Sequence, residues 1–430
     1  MADLRIGAYR WLTKAVAPWV ERSILKRAPG GGDWWSVSRP EATELIWFHA
    51  ASAGELEILW ELVVAAAARG TAVVVTGFSR SAEKSLARLQ TELRARAELR
   101  ASERGAILWV GGSPLEGCWA EALDHLRPSV FVTAKYEAWP ELWASLGERN
   151  IPLVVVSARA RRSLRAAKSA CRLMGARLPR IRFVVSDERH RGELERDFPG
   201  SSIEVLGDPR WDRVQARALK RNGRAEELIA AAASAAWPRP WGVLGSAWPE
   251  DLALWEKGAA GTIWVVPHTS DRELLKQMER RIASWDPGYV RTSESDSLEA
   301  IRMRQSAAQS SVDRAMDRRI IWVDEHGFLS ELYGAADWAY VGGGLRAAGL
   351  HSVIEPALQG IPVSGGTSKT DTMSEIESLS RSGQFTRIGS IEDLEGWIRG
   401  MDSVKASDRL RWKSEAQSRL GAAQRILELI

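Results

Sequence analysis

The stretch WFHAASAGE, Trp47 to Glu55, indicates how this chain folds. An apolar run of β type begins at Leu45 and stops at His49, small residues follow, and the carboxylate of Glu55 precedes a helical pattern. A strand, a tight turn and a helix start in this order are typical of open α/β sheets, which bind ligands at the carboxyl ends of their strands. Glu55 is therefore a candidate general base. It is equally an acid in a first helical turn, where the helix dipole favours it.

The sequence on either side of this stretch continues to alternate between strand-like and helix-like segments. The strands predicted for the first half are Leu45–Phe48, Ala72–Thr76, Ile107–Val110, Val130–Thr133, Leu153–Ser157, Phe183–Ser186 and Ile203–Leu206. Those predicted for the second half are Trp241–Leu244, Thr262–Val266, Ile320–Val323, Trp338–Val341 and Ile361–Val363. This alternation predicts an α/β protein with two Rossmann-like domains facing a cleft, and a length of 430 residues also favours two domains.

Composition suggests where these domains begin and end. We predict an amphipathic N-terminal segment over 1–28, a Rossmann-like domain over 29–214, a connection over 215–237, a second Rossmann-like domain over 238–408 and a C-terminal helix over 409–430. Residues 293–318 are polar and strand-poor, so we expect a mobile or irregular insertion there. The N-terminal segment is basic and contains tryptophan, so it can lie in a membrane interface or dock on its own domain.

Charge and cysteine content restrict the possible partners and the compartment. The net charge is only +4, but arginine greatly outnumbers lysine and clusters in SARARRSLRAAK, Ser157 to Lys168. This density after a predicted strand favours an anionic partner on one face over nucleic acid, with Arg159 and Arg162 as candidate ligands. A solvated surface is the alternative. The two cysteines form no disulfide framework and no metal-ligand spacing, which fits a reducing cytosolic compartment.

Three further segments place polar groups after predicted strands. Glu137, in TAKYEAWPELW, could share a cleft with Glu55, or it could be an ordinary helix acid. The glycine-rich VGGGLRAAGLHS, Val341 to Ser352, could bind an anion at a helix start, with Glu355 accepting from ribose hydroxyls; it could also be a tight turn. Ser246, in GSAWPED, could donate to a phosphate or simply cap a helix.

Several motifs are absent from the sequence. It contains no GxxxxGK phosphate loop, no GxGxxG spacing in the second half, no D-x-D motif and no H-x-x-x-H pair. A nucleotide with a single phosphate therefore fits better than a nucleoside diphosphate bound to a metal. We expect no metal and no cofactor.

Taken together and in order, these segments resemble the 3-deoxy-D-manno-oct-2-ulosonic acid (Kdo) transferases of lipopolysaccharide assembly. WFHAASAGE is similar to the family block W-I-H-A-x-S-x-G-E, and SPLEGCWAEALDHLRPSVFVTAKYEAWPEL follows a pattern that ends in E-x-E-L-W-P-N-L. IPLVVVSARARRS is similar to I-P-x-x-x-x-N-A-R-x-S-x-x-S, and VLGDPRWD to V-x-G-N-x-K-x-D. DEHGFLSELYGAADWAYVGGGL and GLHSVIEPALQGIPV resemble two further blocks. The similarity covers nearly the full length.

The resemblance implies a GT-B glycosyltransferase that moves Kdo from CMP-Kdo to a lipid A precursor (lipid IVA) with inversion. It also implies a peripheral or N-terminally anchored place at the cytoplasmic face of the bacterial inner membrane. The partners are then a CMP-sugar donor, an anionic glycolipid acceptor and the membrane surface, with no nucleic acid. By this mapping Glu55 is the catalytic base, and the acceptor-binding residues are Ser52, Gly54, Glu137, Arg159 and Arg162. The donor-binding residues are Arg210, Ser246, His268, Gly343, Gly344, His351, Ser352, Glu355 and Lys369.

The chain departs from the family pattern mainly at the donor side. Lys135 replaces the first Glu of E-x-E-L-W-P, and the P-R-H motif reads Pro267-His268-Thr269, without its guanidinium. The H-T-x-N-F segment is replaced by TSKTDTM, where Lys369 could supply a substitute charge. These changes indicate a divergent member. A glycosyltransferase for another nucleotide sugar and a non-catalytic paralogue that binds lipid or a partner are the alternatives.

Overall fold

The computed structural model describes residues 2–23, 44–99, 107–114, 117–256, 260–307 and 318–430. The chain divides into two compact units, Met1–Arg213 with Arg419–Ile430, and Val214–Ser418. Each unit is a parallel sheet covered by helices.

The first unit contains a seven-stranded parallel sheet in the order β3-β2-β1-β4-β5-β6-β7. Its strands are β1 (Leu45–Ala50), β2 (Ala72–Gly77), β3 (Ile107–Gly112), β4 (Val130–Ala134), β5 (Leu153–Val156), β6 (Ile181–Val185) and β7 (Ser202–Val205). Its helices are α1 (Ala2–Ser23), α2 (Ala53–Ala68), α3 (Arg80–Leu99), α4 (Trp119–Leu126), α5 (Pro140–Glu148), α6 (Arg162–Met174) and α7 (Glu188–Asp197). Helix α8 (Arg210–Ala218) spans the boundary between the units.

Both faces of the first sheet are covered, which explains the apolar runs in its strands. Every residue of β1 and β2 is buried. Trp47 and Phe131 point into one core layer, whereas Phe48 packs with Leu59 in the other. The strands that precede Glu55 and Glu137, β1 and β4, therefore belong to a sheet that is covered on both faces.

The second unit has a similar sheet in the order β10-β11-β9-β8-β12-β13-β14. Its strands are β8 (Trp241–Ala247), β9 (Gly261–Pro267), β10 (Val290–Arg291), β11 (Arg318–Trp322), β12 (Trp338–Val341), β13 (Val363–Gly365) and β14 (Phe385–Arg387). Its helices are α9 (Gly223–Ser234), α10 (Pro249–Leu254), α11 (Arg272–Trp285), α12 (Ser297–Ala307), α13 (Leu329–Ala335), α14 (Ile354–Leu358), α15 (Ser374–Arg381), α16 (Ile391–Met401) and α17 (Ala406–Gln417).

The structure differs from the sequence-based boundaries in two places. The stretch 215–237 is more than a connection, because α9 lies in it and contributes Leu228 and Ala232 to the core of the second unit. The single helix predicted over 409–430 is wrong. The structure has α17 in the second unit and α18 (Ala422–Leu429) in the first, separated at Gly421, whose φ is 83°.

Two edge strands and part of the polar insertion also differ from expectation. Strands β10 and β14 are only two and three residues long, too short to leave a periodic signal. The segment 293–318 includes the regular helix α12 rather than irregular chain throughout. Its residues 308–317 lie outside the described part of the structure.

The N-terminal helix α1 docks on its own unit, one of the two alternatives for this segment. The Arg10 guanidinium donates to Glu141 (3.2 Å), Ser145 (2.8 Å) and Glu148 (2.8 Å) on α5. Ile6 is buried in the first core, whereas Trp11 is 73% exposed. Residues 24–28 of the predicted segment lie outside the described ranges. Among the described helices, none is long and apolar enough to cross a membrane.

Candidate active site

The turn between β1 and α2 holds Glu55 in place through one hydrogen bond from its backbone and one to its side chain. Ser52 is the residue that caps α2, and its Oγ accepts from the Glu55 backbone N–H (3.4 Å). The Glu55 side chain reaches back, so that Oε2 accepts from the Ala51 N–H (2.7 Å). This is similar to a capping box, except that the carboxylate accepts from Ala51, the residue before the cap. The two interpretations of Glu55 are therefore compatible, because the residue is both a first-turn helix acid and a fixed carboxylate.

Burial changes the acidity of Glu55. Glu55 is only 6% exposed, and this burial raises the pKa of its carboxyl group. The Ala51 N–H and the charge of Lys135 oppose that rise. The Ser52 backbone N–H also lowers this pKa, but burial has the larger effect. A fixed carboxylate with a raised pKa is suited to accept a proton from a hydroxyl.

Glu137 lies in the loop between β4 and α5, and β4 is the strand next to β1. Its Oε2 accepts from the Trp139 indole N–H (3.2 Å). Burial and the charge of Glu55 raise the pKa of Glu137 to about 7. The two predicted carboxylates are thus close enough to influence each other, as expected for neighbouring strand ends.

A group of cations lies at the same edge of the sheet. The Lys135 backbone N–H donates to the Val156 carbonyl (2.8 Å), and the Lys135 carbonyl accepts from the Arg159 N–H (3.3 Å). Arg210 is paired with the buried Asp208, whose Oδ2 accepts from Nη2 (2.6 Å) and Nε (2.9 Å). Burial raises the pKa of Asp208, but Arg210 more than offsets this and holds that pKa below its ordinary value.

Not every predicted acceptor residue joins this group. Arg159 lies beside Lys135, but Arg162 is exposed at the start of α6. Arg165 pairs with Asp197 (3.3 Å), so the arginine cluster does not converge on one point. Gly54 is exposed, and a Cβ there would meet no atom within 4 Å, so packing does not require glycine.

In the second unit, Asp251 on α10 organises the ends of β8 and β12. Its carboxylate accepts from the backbone N–H groups of Trp248 (2.9 Å) and Gly343 (3.1 Å) and from the Tyr340 hydroxyl (2.9 Å). Burial raises the pKa of Asp251, and the two N–H groups oppose that rise. The Gly343 N–H, predicted to contact a phosphate, is therefore engaged inside the protein.

The glycine-rich loop has close backbone packing. Gly343 has a φ of 89°, and a Cβ there would lie 2.7 Å from the His351 ring. A Cβ at Gly344 would lie 2.6 Å from the Gly366 backbone. Glycine at both positions thus permits the loop to fold onto His351 and Gly366. The helix after the loop, α14, is only five residues long, so it offers little of the helix-end field expected from the sequence.

Three aromatic side chains and a guanidinium stack beside this loop. The rings of His268 and His351 lie 3.8 Å apart, and the Trp248 indole N–H donates to Nε2 of His351 (3.0 Å). The Arg346 guanidinium lies 4.0 Å above the Trp248 ring. Burial, with the neighbouring His268, lowers the pKa of His351 to about 4, and burial also lowers that of His268. Both imidazoles are therefore neutral at pH 7.

The remaining residues predicted to bind the donor do not form one group. Ser246 is not the helix cap, because Trp248 caps α10; Ser246 has a φ of 52° at the end of β8. Ser352 Oγ accepts from the Ile354 N–H (3.4 Å). Burial and the charge of Glu355 raise the pKa of the Tyr333 hydroxyl. The Lys369 side chain crosses Gly349, since a Cβ there would lie 2.9 Å from it. Arg210, however, belongs to the first unit.

Sequence reasoning missed several residues that shape these sites. Asp251, Trp248 and Arg346 were not singled out, although W-P-x-D before a helix is a recognisable capping pattern in GSAWPED. No local sequence signal indicates that Arg346 stacks on Trp248. Among the described residues, no group of three or more His, Cys, Asp or Glu could hold a metal ion.

Comparisons with known proteins agree with the resemblance seen in the sequence. Residues 21–213 match the sequence model of the 3-deoxy-D-manno-octulosonic-acid transferase (kdotransferase) family. The chain is 24% identical to the 3-deoxy-D-manno-octulosonic acid transferase of Bordetella pertussis, over 83% of this chain and 82% of that protein. It is 23% identical to the one of Haemophilus influenzae, over 72% and 70%. The chain is thus similar to the Kdo transferases at low sequence identity.

A solved structure supports the fold assignment. The UDP-GlcNAc 2-epimerase of Neisseria meningitidis superposes with a TM-score of 0.54 at 11% identity, over 89% of this chain and 98% of that one. The predicted fold class, GT-B with two Rossmann-like domains, is confirmed by the two parallel sheets and this likeness. The matched residues 21–213 contain Glu55, Glu137 and Arg159, so the family similarity covers the whole β1–α2 turn.

Proposed function

We propose that this chain is an inverting glycosyltransferase that moves Kdo from CMP-Kdo to a lipid A precursor at the inner surface of a bacterial membrane. The observation that carries the proposal is the fixed, buried Glu55 in a turn that the Kdo transferases share. The names of the matched relatives support the reaction class and the donor sugar.

In this reaction the Glu55 carboxylate accepts the proton of an acceptor hydroxyl as the hydroxyl oxygen attacks the anomeric carbon of Kdo. The new glycosidic C–O bond forms while the bond from the anomeric carbon to the CMP phosphate breaks, and CMP leaves with the electron pair. Attack from the face opposite the leaving group inverts the anomeric centre. Ser52 and Ala51 hold the base, so little reorganisation is needed.

The experiment is transfer from CMP-Kdo to tetraacyl lipid A precursor by the purified chain, measured as CMP release. We expect Glu55→Gln to lower kcat by about 10²–10⁴-fold, because the amide cannot take the proton. Glu83→Gln, at an exposed position of α3, is the matched control and should retain activity. Far-UV circular dichroism establishes that both variants fold. Undiminished turnover by Glu55→Gln would remove Glu55 as the base.

The pH dependence gives an independent check of the same residue. Because burial raises the pKa of Glu55, kcat/KM should fall as pH decreases through a pKa above the ordinary 4.5 of a glutamate. Protonated Glu55 cannot accept the hydroxyl proton. A profile flat down to pH 4.5 would contradict this assignment.

The donor side favours one second candidate, a glycosyltransferase for a different nucleotide sugar. The Gly343 N–H is engaged by Asp251, and His268 stands where the family pattern has arginine. Thermal shifts with CMP, CMP-Kdo, UDP and UDP-sugars distinguish the two. Stabilisation by CMP compounds supports Kdo transfer, stabilisation by UDP alone supports the second candidate, and no shift with any nucleotide favours a non-catalytic paralogue.

A further inference from the structure

Lys135 is the residue at which this chain reverses a charge of the family pattern, and its backbone is held firmly. It follows β4 in the left-handed region, with a φ of 60°. Its N–H donates to Val156, the last residue of β5, and its carbonyl accepts from Arg159 in the loop after that strand. A non-glycine residue in this conformation is uncommon and costs free energy, so the surrounding contacts keep Lys135 at this point.

The Lys135 ammonium has no fixed partner in the described part of the chain. It is half-buried, yet it makes no hydrogen bond or ion pair with a described residue. Burial, Arg210 and Arg159 lower its pKa, whereas Glu55 and Asp208 raise it. Asp208 is already bonded to Arg210, and Glu55 to the Ala51 N–H. An ammonium that is partly removed from water and unpaired is a site that an anion would satisfy.

A second polar group at this edge of the sheet also lacks a partner. Ser157, directly after β5, has a φ of 50° and is 9% exposed, and its Oγ makes no hydrogen bond within the described structure. Strand β5 adjoins β4, and β4 adjoins β1, so Ser157, Lys135 and Glu55 follow three neighbouring strands. A cation, a hydroxyl donor and the carboxylate therefore lie along one edge of the sheet.

We propose that Lys135 binds an anionic substituent, a phosphate or a carboxylate, that the acceptor carries beside the hydroxyl deprotonated by Glu55. This inference rests on the proposed function in one respect, that Glu55 marks the acceptor side. It makes Lys135 a specificity residue, since an ammonium selects an oxyanion by charge and by donated hydrogen bonds. Glutamate at this position, as in the family pattern, would repel the same substituent.

Binding of the anion also affects the base. The charge of Lys135 lowers the pKa of Glu55. An oxyanion on Lys135 offsets that charge, so Glu55 becomes a stronger base when an anionic acceptor is present. An acceptor without the anionic group would leave Glu55 less basic.

The test measures binding, so it does not depend on transfer. The full chain is titrated calorimetrically with glucosamine 4-phosphate, methyl glucuronide and methyl glucoside, which are phosphate, carboxylate and neutral probes. We expect Lys135→Gln to weaken the binding of one or both anionic probes about tenfold, because a charge-assisted hydrogen bond is lost. Binding of the neutral probe should not change. Lys135→Glu should abolish that binding. Lys84→Gln, an exposed lysine of α3, is the matched control.

The pattern of losses identifies the substituent. Weaker binding of glucosamine 4-phosphate alone assigns a phosphate, and weaker binding of methyl glucuronide alone assigns a carboxylate. Equal effects on all three probes, or no effect on any, would overturn the proposal, as would unchanged affinities in Lys135→Glu. Absence of CMP release with CMP-Kdo would instead count against the proposed function, so the two failures are distinguishable.

Discussion

At the scale of single residues, two carboxylates on neighbouring strand ends have different surroundings. Glu55 bonds to the Ala51 N–H and is influenced by Lys135, whereas Glu137 bonds to an indole N–H. Burial and Glu55 raise the pKa of Glu137 to about 7, so near neutral pH it carries a proton in about half of the molecules. The folded protein therefore binds this proton at pH values where the unfolded chain has released it.

The pKa of Glu137 predicts a pH-dependent stability. A folded-state pKa above the ordinary value stabilises the fold fully below about pH 4.5, and that contribution is lost as pH rises to about 7. Glu137→Gln removes this dependence, so at pH 8 it should be about 1–3 kcal/mol more stable than the parent. Urea unfolding at pH 5 and pH 8 measures this, with Glu83→Gln as the exposed control. If the variant and the parent differed in free energy of unfolding by the same amount at both pH values, the prediction would be wrong.

Asp251 offers a residue-scale prediction for the second unit. Alanine at this position removes both acceptor oxygens, so the two backbone N–H groups and the Tyr340 hydroxyl lose their partner. Asp251→Ala should lower the free energy of unfolding by about 1–3 kcal/mol, the cost of leaving buried polar groups without a hydrogen bond. Asp371→Ala, at a side chain that is 98% exposed, is the control and should change little. Equal stability of the two variants would argue against this role.

At the scale of elements, helix α1 contributes an ion-pair partner to a buried acid. The Glu141 side chain is fully buried and pairs with Arg10. Burial raises the pKa of Glu141, and Ser145 and Arg10 oppose that rise. Without Arg10, the buried carboxylate would lose this ion pair, and its tendency to take up a proton would increase.

We therefore expect Arg10→Met to destabilise the protein by about 2–4 kcal/mol at pH 8 and by less at pH 6, where Glu141 can be protonated more easily. Limited proteolysis should cut α1 sooner in this variant. Arg5→Met is a matched control on the same helix, because Arg5 is exposed and donates only to the Leu173 carbonyl (3.2 Å) among its described contacts. Similar behaviour of both variants would show that α1 docks through other contacts.

The sequence predicts strands and turns well where the elements are periodic and buried. The β1–α2 turn is recognisable because an apolar strand, small residues and an acid stand in a fixed order. Helix α14 and strands β10 and β14 are too short to produce a period, so their positions depend on tertiary packing. The separation of α17 from α18 also depends on tertiary structure, because α18 begins at a contact with Asp212, which is far away in the sequence.

Candidate sites show the same distinction. Glu55 and Glu137 are predictable because parallel strands bring their carboxyl ends together. Arg162 and Arg165 belong to the same sequence cluster as Arg159 but turn elsewhere on α6. The Arg346–Trp248 stack joins residues almost one hundred positions apart, and no local pattern encodes a contact of that kind.

At the scale of the whole molecule, α18 completes the first unit from the far end of the chain. Asp212 accepts from the Gly421 N–H (2.5 Å) and the Ala423 N–H (2.7 Å), which begins the helix at that point. Ile426 and Leu427 are buried in the same core layer as Phe48 and Leu59. The first core is therefore built from both ends of the sequence.

Ile426→Ala should cost about 2–4 kcal/mol, as for other large-to-small changes in a buried core. Hydrogen exchange followed by mass spectrometry should show faster exchange in the first unit, with peptides of β8, β9 and β12 unchanged. Glu428→Ala, on the exposed side of the same helix, is the control. Equal acceleration in both units would mean that α18 supports more than its own core.

The position of α18 also sets an order of events during synthesis. A ribosome makes roughly 200 residues of the second unit before it reaches this helix, which at about 5–20 residues per second takes on the order of 10–40 s. Until then the nascent first unit lacks a helix over part of its core, and the apolar surface under α18 stays accessible to water and to chaperones. The protein therefore cannot finish its N-terminal half on the ribosome before nearly all of its C-terminal half has been translated.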